Sequence, residues 1–348
     1  MRLALDGRSL QRTPLGGVGR ATAHVLPFLT NQVDIELLTA REQPPAEVGL
    51  PEHPLATPWP GVATGWLQWS APRWLRGFGG IFHCPWYALP FVQPVPMVVT
   101  LHDLTFERHP EWFARGRRRS YATQARWAAR TARAVITVSH FVADDIMATY
   151  GVPASRIFIA CHAVDEVFRA DRDATAVRER LGIRNPYVAA VGGNPRRRLD
   201  VALDAWRAVR RDHALDLVVV GTDDLPDEPG VYGGRLSDED WADLLAGARA
   251  LVYPTAYEGF GLPALEAAAS GTPVICARVG SLPEVLGGAA LWCDDLTAAA
   301  FAAELRRLLA DDALARDVRA AGIERAMTGP SWRASAEQHL AAYSLACQ

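Results

Sequence analysis

No run of eighteen apolar residues occurs in this chain, and its opening, MRLALDGRSL, begins at once on a strand pattern with no apolar signal segment before it. A membrane-spanning or exported protein is therefore not expected; a cytoplasmic one is. Cysteine is scarce and scattered. The five residues Cys84, Cys161, Cys276, Cys293 and Cys347 contain no C-x-x-C pair, which excludes a disulfide framework or a zinc ribbon. A basic excess is missing as well: 36 Lys and Arg face 39 Asp and Glu, and a net charge of −3 argues against nucleic acid as a partner. Internal repeats and low-complexity tracts are absent. No G-x-G-x-x-G follows the first strand pattern, so a dinucleotide-dependent dehydrogenase is a poor reading. No clustered His, Cys and carboxylate set marks a protein metal site, and neither a metal nor a cofactor is expected.

What is present is an ordinary soluble composition, 49% apolar and 22% charged over 348 residues, enough for two domains that each bury a core. Short apolar runs alternate with longer periodic stretches. RLALD, VDIELLT, GIFHC, VPMVVTL, AVITVS and RIFIA fall in the first half, and YVAAVG, LDLVVVG, ALVYP, TPVICA and AALWC in the second. Such runs suit parallel strands buried on both faces, and the βα alternation occurs twice. The fold class expected is α/β, with two doubly wound Rossmann-like domains facing one another across a cleft and ligands at the carboxyl ends of the strands. The first domain is placed at residues 1–168, joined by a C-terminal helix at 331–348, and the second at 183–330. The polar segment Asp165 to Gly182 is read as the linker.

Residues 254 to 275, PTAYEGFGLPALEAAASGTPVI, combine two carboxylates, two glycines and a proline-started helix. Glu258 lies in the loop after the ALVYP strand. Gly259 and Gly261 admit close backbone approach by a ligand, and Pro263 suits the start of a helix running from about Leu262 to Ser270. The amides around Phe260, Gly261 and Leu262 and the positive helix end suit a diphosphate. Glu266, inside the first turns, suits a vicinal diol such as a ribose. The spacing of Glu258 and Glu266, with seven residues between them, together with Gly-Phe-Gly-Leu-Pro and Gly271-Thr272-Pro273-Val274, resembles the EX7E signature of the retaining glycosyltransferases of family 4, which have the GT-B fold. The resemblance implies a second domain that binds a nucleotide sugar and a first domain that binds the acceptor.

Other blocks fit the same pattern in the same order. Gly16-Gly17-Val18-Gly19 follows the first strand and opens a helix; a tight packing turn explains such glycines as well as phosphate contact does, and the resemblance favours Gly16 and Gly17 at the donor. Thr-Leu-His-Asp ends the run VPMVVTL, and the resemblance puts His102 at the donor sugar. Asp103 is assigned to the acceptor side, against the plainer role of capping the next turn. Pro195-Arg196-Arg197-Arg198 stands where the family has Pro-Arg-Lys-Asn, so Arg197 takes the place of the lysine that neutralises the leaving diphosphate, with Arg196 beside it. Gly193 stands where some relatives carry a phosphate-binding arginine, and His162-Ala163-Val164-Asp165 replaces Asn-Gly-Val-Asp. Asp171-Arg172-Asp173 and Asp238-Glu239-Asp240 have the D-x-D form used by metal-dependent transferases of another fold. The first falls in the linker and the second opens a helix behind Ser237, where acids serve the helix dipole.

The implied activity is transfer of a hexosyl group, mannose first, from a nucleoside diphosphate sugar to a hydroxyl of a sugar or lipid-linked sugar, without a metal. GDP-mannose is the first donor expected and a UDP-hexose the second. His102, Glu258 and Arg197 are the catalytic candidates. A non-catalytic nucleotide-sugar-binding partner subunit is the competing reading. Seven arginines between Trp112 and Arg133 with no acid among them (Arg115, Arg117, Arg118, Arg119, Arg126, Arg130 and Arg133), interleaved with Trp112, Phe113, Tyr121 and Trp127, suit peripheral contact with an anionic membrane or a lipid-diphosphate acceptor, and a solvated helix face explains them nearly as well. Trp59, Trp66, Trp69, Trp74 and Trp86 serve either as core or as a ligand wall.

Overall fold

A computed structural model describes residues 1–12, 15–46, 48–58 and 65–348. Two compact units emerge, Met1–His162 with Pro330–Gln348, and Ala163–Gly329. In the first, seven parallel strands, β1 (Arg2–Asp6), β2 (Asp34–Ala40), β3 (Glu52–Leu55), β4 (Ile81–Cys84), β5 (Met97–Leu101), β6 (Ala134–Thr137) and β7 (Ile157–Ile159), lie in the order β3-β2-β1-β4-β5-β6-β7. The central strands β4, β5 and β6 are buried at every residue, which is why they read as unbroken apolar runs. Alternation then assigns faces: Leu3, Leu5, Val98 and Ile136 pack with Val25 and Leu29 of α1 (Gly17–Leu29), while Ala4, Phe82, Val99 and Leu101 pack with Ala125 and Ala128 of a second long helix, Arg115–Thr131.

The second unit has six parallel strands, β8 (Tyr187–Val191), β9 (Asp216–Val220), β10 (Val231–Gly234), β11 (Leu251–Tyr253), β12 (Val274–Ala277) and β13 (Ala290–Cys293), ordered β10-β9-β8-β11-β12-β13. Both sheets are thus doubly wound, with the strand order reversing beside β1 in one and beside β8 in the other. Such a switch point opens a crevice at the carboxyl ends of the two strands that flank it. In this unit those strands are β8 and β11.

The sequence runs missed β3 and β10. EHPL carries a proline and a charge, and VYGG ends on two glycines. Both are edge strands that need no apolar run, since only one neighbour pairs with each.

The terminal segment is helical at Trp332–Ala346, with Ser331 Oγ accepting the amide of Ala334 at 3.1 Å, and it belongs to the first unit. Its Tyr343 is buried and hydrogen-bonded to His83 of β4. The segment read as a linker belongs instead to the second unit. Its polar residues are engaged locally: Asp173 accepts from Thr175 at the start of helix Thr175–Leu181, Arg172 lies 2.5 Å from Asp243, and Arg180 pairs with Asp240 at 2.7 Å. Among the described residues no helix is long and apolar enough to cross a membrane, and no group of three or more His, Cys, Asp or Glu side chains is arranged to hold a metal ion.

Candidate functional site

The loops after β8 and β11 meet at the switch point of the second unit. The Arg196 carbonyl accepts the amide of Ala256 at 2.8 Å and lies 3.2 Å from the Thr255 hydroxyl, so the Arg196-Arg197 turn is tied to the loop that carries Glu258. Glu258 is buried there. Its Oε1 accepts the Tyr253 hydroxyl at 2.6 Å and lies 2.9 Å from Arg197 Nη1, while Oε2 is 3.8 Å from Arg196 Nη2. The Arg197 guanidinium also sits over the Tyr253 ring, 5.0 Å from its centroid. Two groups expected to do separate work, the Glu258 carboxylate and the Arg197 cation, are therefore each other's counter-ions. A buried carboxylate without such a partner would be costly. Tyr253 and Thr255, which complete the cluster, went unnoticed in the sequence because Tyr253 ends an apolar strand and Thr255 lies in the loop just after it. Their signal was proximity alone, since Tyr253 stands five residues before Glu258 in sequence.

Gly261 ends this loop at φ 96°, a left-handed conformation that glycine adopts without strain, and helix Leu262–Ala269 starts directly after it with Pro263 in its first turn. Phe260 is buried, Leu262 half-buried, and Glu266 is buried in the second turn. The helix start, the glycine loop and Glu266 follow from the sequence pattern almost residue for residue.

Two departures acquire physical reasons. Gly193 has φ 82°, and a Cβ at this position would overlap the Gly221 carbonyl oxygen of the loop after β9. An arginine is thus sterically excluded here. Arg198 is the one non-glycine residue with positive φ among those described, at 47°, and its guanidinium pairs with Asp200 at 2.8 Å. That leaves Arg196 and Arg197 facing Glu258, with Arg198 engaged at the next helix.

In the first unit, His102 directly follows β5. Its Nε2 lies 3.2 Å from the Pro85 carbonyl, which can only accept, so this nitrogen carries the proton and Nδ1 is an acceptor. Asp103 Oδ1 accepts both the amide and the hydroxyl of Thr105, at 2.9 and 2.7 Å, the turn-capping role. Gly16 is the residue before α1, and a Cβ on Gly16 or Gly17 would meet nothing within 4 Å, whereas one on Gly19 would overlap the Ser9 carbonyl. Packing thus accounts for Gly19 and leaves the amides of Gly16 and Gly17 at an open helix start.

Sequence reading missed the company His102 keeps. Its ring stacks on His162 at 5.4 Å, and His83 lies 5.8 Å from His339; all four line a cavity of ≈ 30 Å³ between the sheet, α1 and the terminal helix. That is room for about two water molecules. His83 is held between the Tyr343 and Thr100 hydroxyls at 2.9 and 2.8 Å, and His339 Nδ1 donates to the Ser335 carbonyl at 2.8 Å. Burial keeps His83, His102 and His162 below the ordinary imidazole range and pushes His339 down to about 4. Above pH ~6.5 these rings are neutral folded or unfolded; below it, unfolded chains take up protons that the folded unit resists, so stability falls as pH drops toward 4. For His339 alone the full loss is on the order of 3 kcal/mol. The urea midpoint should fall between pH 7 and pH 5, less steeply in His339→Gln; a midpoint equal at both pH values would contradict this.

Two family models match the chain, one described as Glycosyltransferase Family 4 over residues 15–168 and one as Glycosyl transferases group 1 over residues 185–311. The O-antigen chain mannosyltransferase B of Escherichia coli is 31% identical over 285 residues, which cover 76% of this chain and 74% of that protein. An MMP alpha-(1→4)-mannosyltransferase of Mycolicibacterium hassiacum is 30% identical over 276 residues, 72% of this chain and 66% of that one. The solved HepE protein of Anabaena in complex with UDP-glucose is similar in fold, with a TM-score of 0.77 over 99% of both chains at 16% identity.

Proposed function

We propose, for a chain that belongs to glycosyltransferase family 4 and builds its two Rossmann-like units in the GT-B fold, transfer of a hexosyl group from a nucleoside diphosphate sugar to a hydroxyl of a sugar or lipid-linked sugar, with retained configuration and without a metal. Mannose, carried by GDP, is the first sugar proposed; the names of the two curated relatives support it. A UDP-hexose is the second, and the UDP-glucose bound to HepE supports that nucleotide only through likeness of fold.

The observation that carries the reading is the cluster at the switch point of half-buried Arg197 with buried Glu258 and Tyr253, one loop away from the helix start at Gly261. The bond to be broken joins sugar C1 to a phosphate oxygen. Negative charge grows on the diphosphate as it leaves, and Arg197 with the amides at the helix start would stabilise it. Glu258 would accept from hydroxyls of the donor sugar and fix its pose, Glu266 would hold the ribose diol, and His102 would contribute to the sugar's surroundings. The acceptor oxygen bonds to C1 while its proton passes to the departing phosphate oxygen on the same face, so no enzyme carboxylate need become covalently linked.

Calorimetry with GDP-mannose tests the assignment at its most specific point. Glu266→Ala should weaken donor binding by about 1 to 3 kcal/mol, roughly 5- to 150-fold, if two charge-assisted hydrogen bonds to the ribose are lost. Unchanged affinity would remove Glu266 from the ribose.

A further inference from the structure

Large apolar side chains are exposed at only six of the described positions: Met1, Trp69, Phe91, Val92, Trp127 and Met327. Four of these six lie on two adjoining segments and one helix of the first unit: Phe91 and Trp127 are in contact, Val92 follows Phe91, and Trp69 adjoins their loop through its neighbour Gln68. Trp127, on the helix Arg115–Thr131, meets Phe91 edge to face at 5.4 Å and donates its Nε1 to the Pro90 carbonyl at 3.3 Å. Gln68, the neighbour of Trp69, accepts the Phe91 amide at 2.9 Å and donates to the Leu89 carbonyl at 3.4 Å, and Gln93 donates to Thr131 at 2.8 Å. Polar bonds behind the rings thus brace the 89–93 loop from two sides. Yet Trp69 is 62%, Phe91 56%, Val92 55% and Trp127 36% exposed. Scattered apolar residues on a surface are ordinary, but a braced cluster of two indoles, a phenyl ring and a valine is not.

The two stretches that build the cluster carry charge of one sign, and the acid on the loop beside them, Glu42, is engaged with Thr57. No acidic residue lies between Glu52 and Asp103, nor between Glu111 and Asp144, the two stretches from which the patch is built. Arg73, one helical turn after Trp69, and Arg117 and Arg119, on flanks of the Trp127 helix, are all exposed. Every one of the 36 basic side chains in the chain is arginine. A guanidinium can bond two phosphate oxygens at once. The basic segment identified in the sequence is thereby divided: Arg118 donates to the Phe106 carbonyl, Arg130 to that of Tyr150, and Arg126 lies 3.9 Å from Glu107, so these three serve the fold. The tryptophans divide likewise, with Trp66 buried, Trp74 and Trp86 packed against the core, and Trp59 outside the described residues.

We propose that the patch of Trp69, Phe91, Val92 and Trp127, rimmed by Arg73, Arg117 and Arg119, docks the first unit on the surface of an anionic lipid bilayer. The rings enter the boundary between headgroups and acyl chains, and the arginines meet lipid phosphates around them. A protein partner would more commonly cover an apolar patch with a mixed-charge rim. This inference stands apart from the transferase reading and uses none of its residues.

Flotation of the full chain with vesicles tests it. The protein should float with phosphatidylcholine mixed with phosphatidylglycerol, far less with phosphatidylcholine alone, and be released by high salt. Trp69→Ser/Phe91→Ser should reduce the bound fraction about tenfold or more, and Arg73→Glu/Arg117→Glu/Arg119→Glu should abolish the preference for anionic lipid. Equal urea midpoints and equal donor binding would certify that both variants are folded. Failure of the wild type to float, equal flotation on both lipids, or full binding by either folded variant would overturn the proposal. So would a concentration-dependent dimer that Trp69→Ser/Phe91→Ser dissolves without any flotation, because the patch would then belong to a second copy of the chain.

Discussion

Arg197→Ala is expected to lower turnover by about 10²-fold or more, because the guanidinium is assigned to charge that grows only as the diphosphate leaves. The same substitution should also weaken the second unit. Glu258 would stay buried and lose the cation 2.9 Å away, a change that costs about 3 to 5 kcal/mol when nothing replaces the partner. The Tyr253 hydroxyl and Arg196, 3.8 Å from the other carboxylate oxygen, should moderate that cost. The two consequences are separable: urea denaturation reads the stability loss, and turnover measured at a temperature where the variant is folded reads the chemistry. Arg197→Lys should retain much of the activity, since lysine is the usual residue of the family at this place. Full activity in a folded Arg197→Ala protein would move the phosphate role to Arg196.

Glu258→Gln should cut turnover by about 10²-fold while leaving the affinity for free nucleoside diphosphate unchanged or improved. The amide oxygen would still accept from Tyr253, so the loop would keep its anchor. Arg197, however, would lose its anionic counter-ion and present its full charge to the diphosphate. The sugar would lose its acceptor at the same time. Equal losses in turnover and in diphosphate affinity would merge the two roles and contradict this division.

The arginine at 197 is less of a departure than it looks beside the family pattern. The chain contains no lysine at all, so a cation required here had to be arginine. That removes one support from the reading as a non-catalytic subunit. A second support weakens with Gly193, whose close approach to Gly221 reflects how the loops after β8 and β9 are packed.

Central strands were legible because burial on both faces writes them as apolar runs, and the EX7E helix because its glycine, proline and carboxylates each answer a local need. The edge strands β3 and β10 were not, since half their partners are solvent. Nor was the ion pair between Arg197 and Glu258: the residues lie 61 positions apart, and only the switch-point topology brings β8 and β11 side by side. The four-histidine cavity was hidden for the same reason, its members coming from β4, from the loops after β5 and β7, and from the terminal helix. The linker was misread because charge in a polar segment looks the same whether it is solvated or, as with Arg172 and Asp243, paired.

Hydrolysis of GDP-mannose with no acceptor present, followed in EDTA, tests the central claim most directly. The account predicts slow release of GDP at the same rate with and without the chelator, because arginine and a helix start meet the diphosphate charge. Loss of turnover in EDTA that Mn²⁺ restores would return Asp171, Asp173, Asp238 and Asp240 to consideration and redraw the site around a cation. Tight binding of the donor with no release of GDP under either condition would mark a nucleotide-sugar-binding subunit and contradict the transferase reading outright.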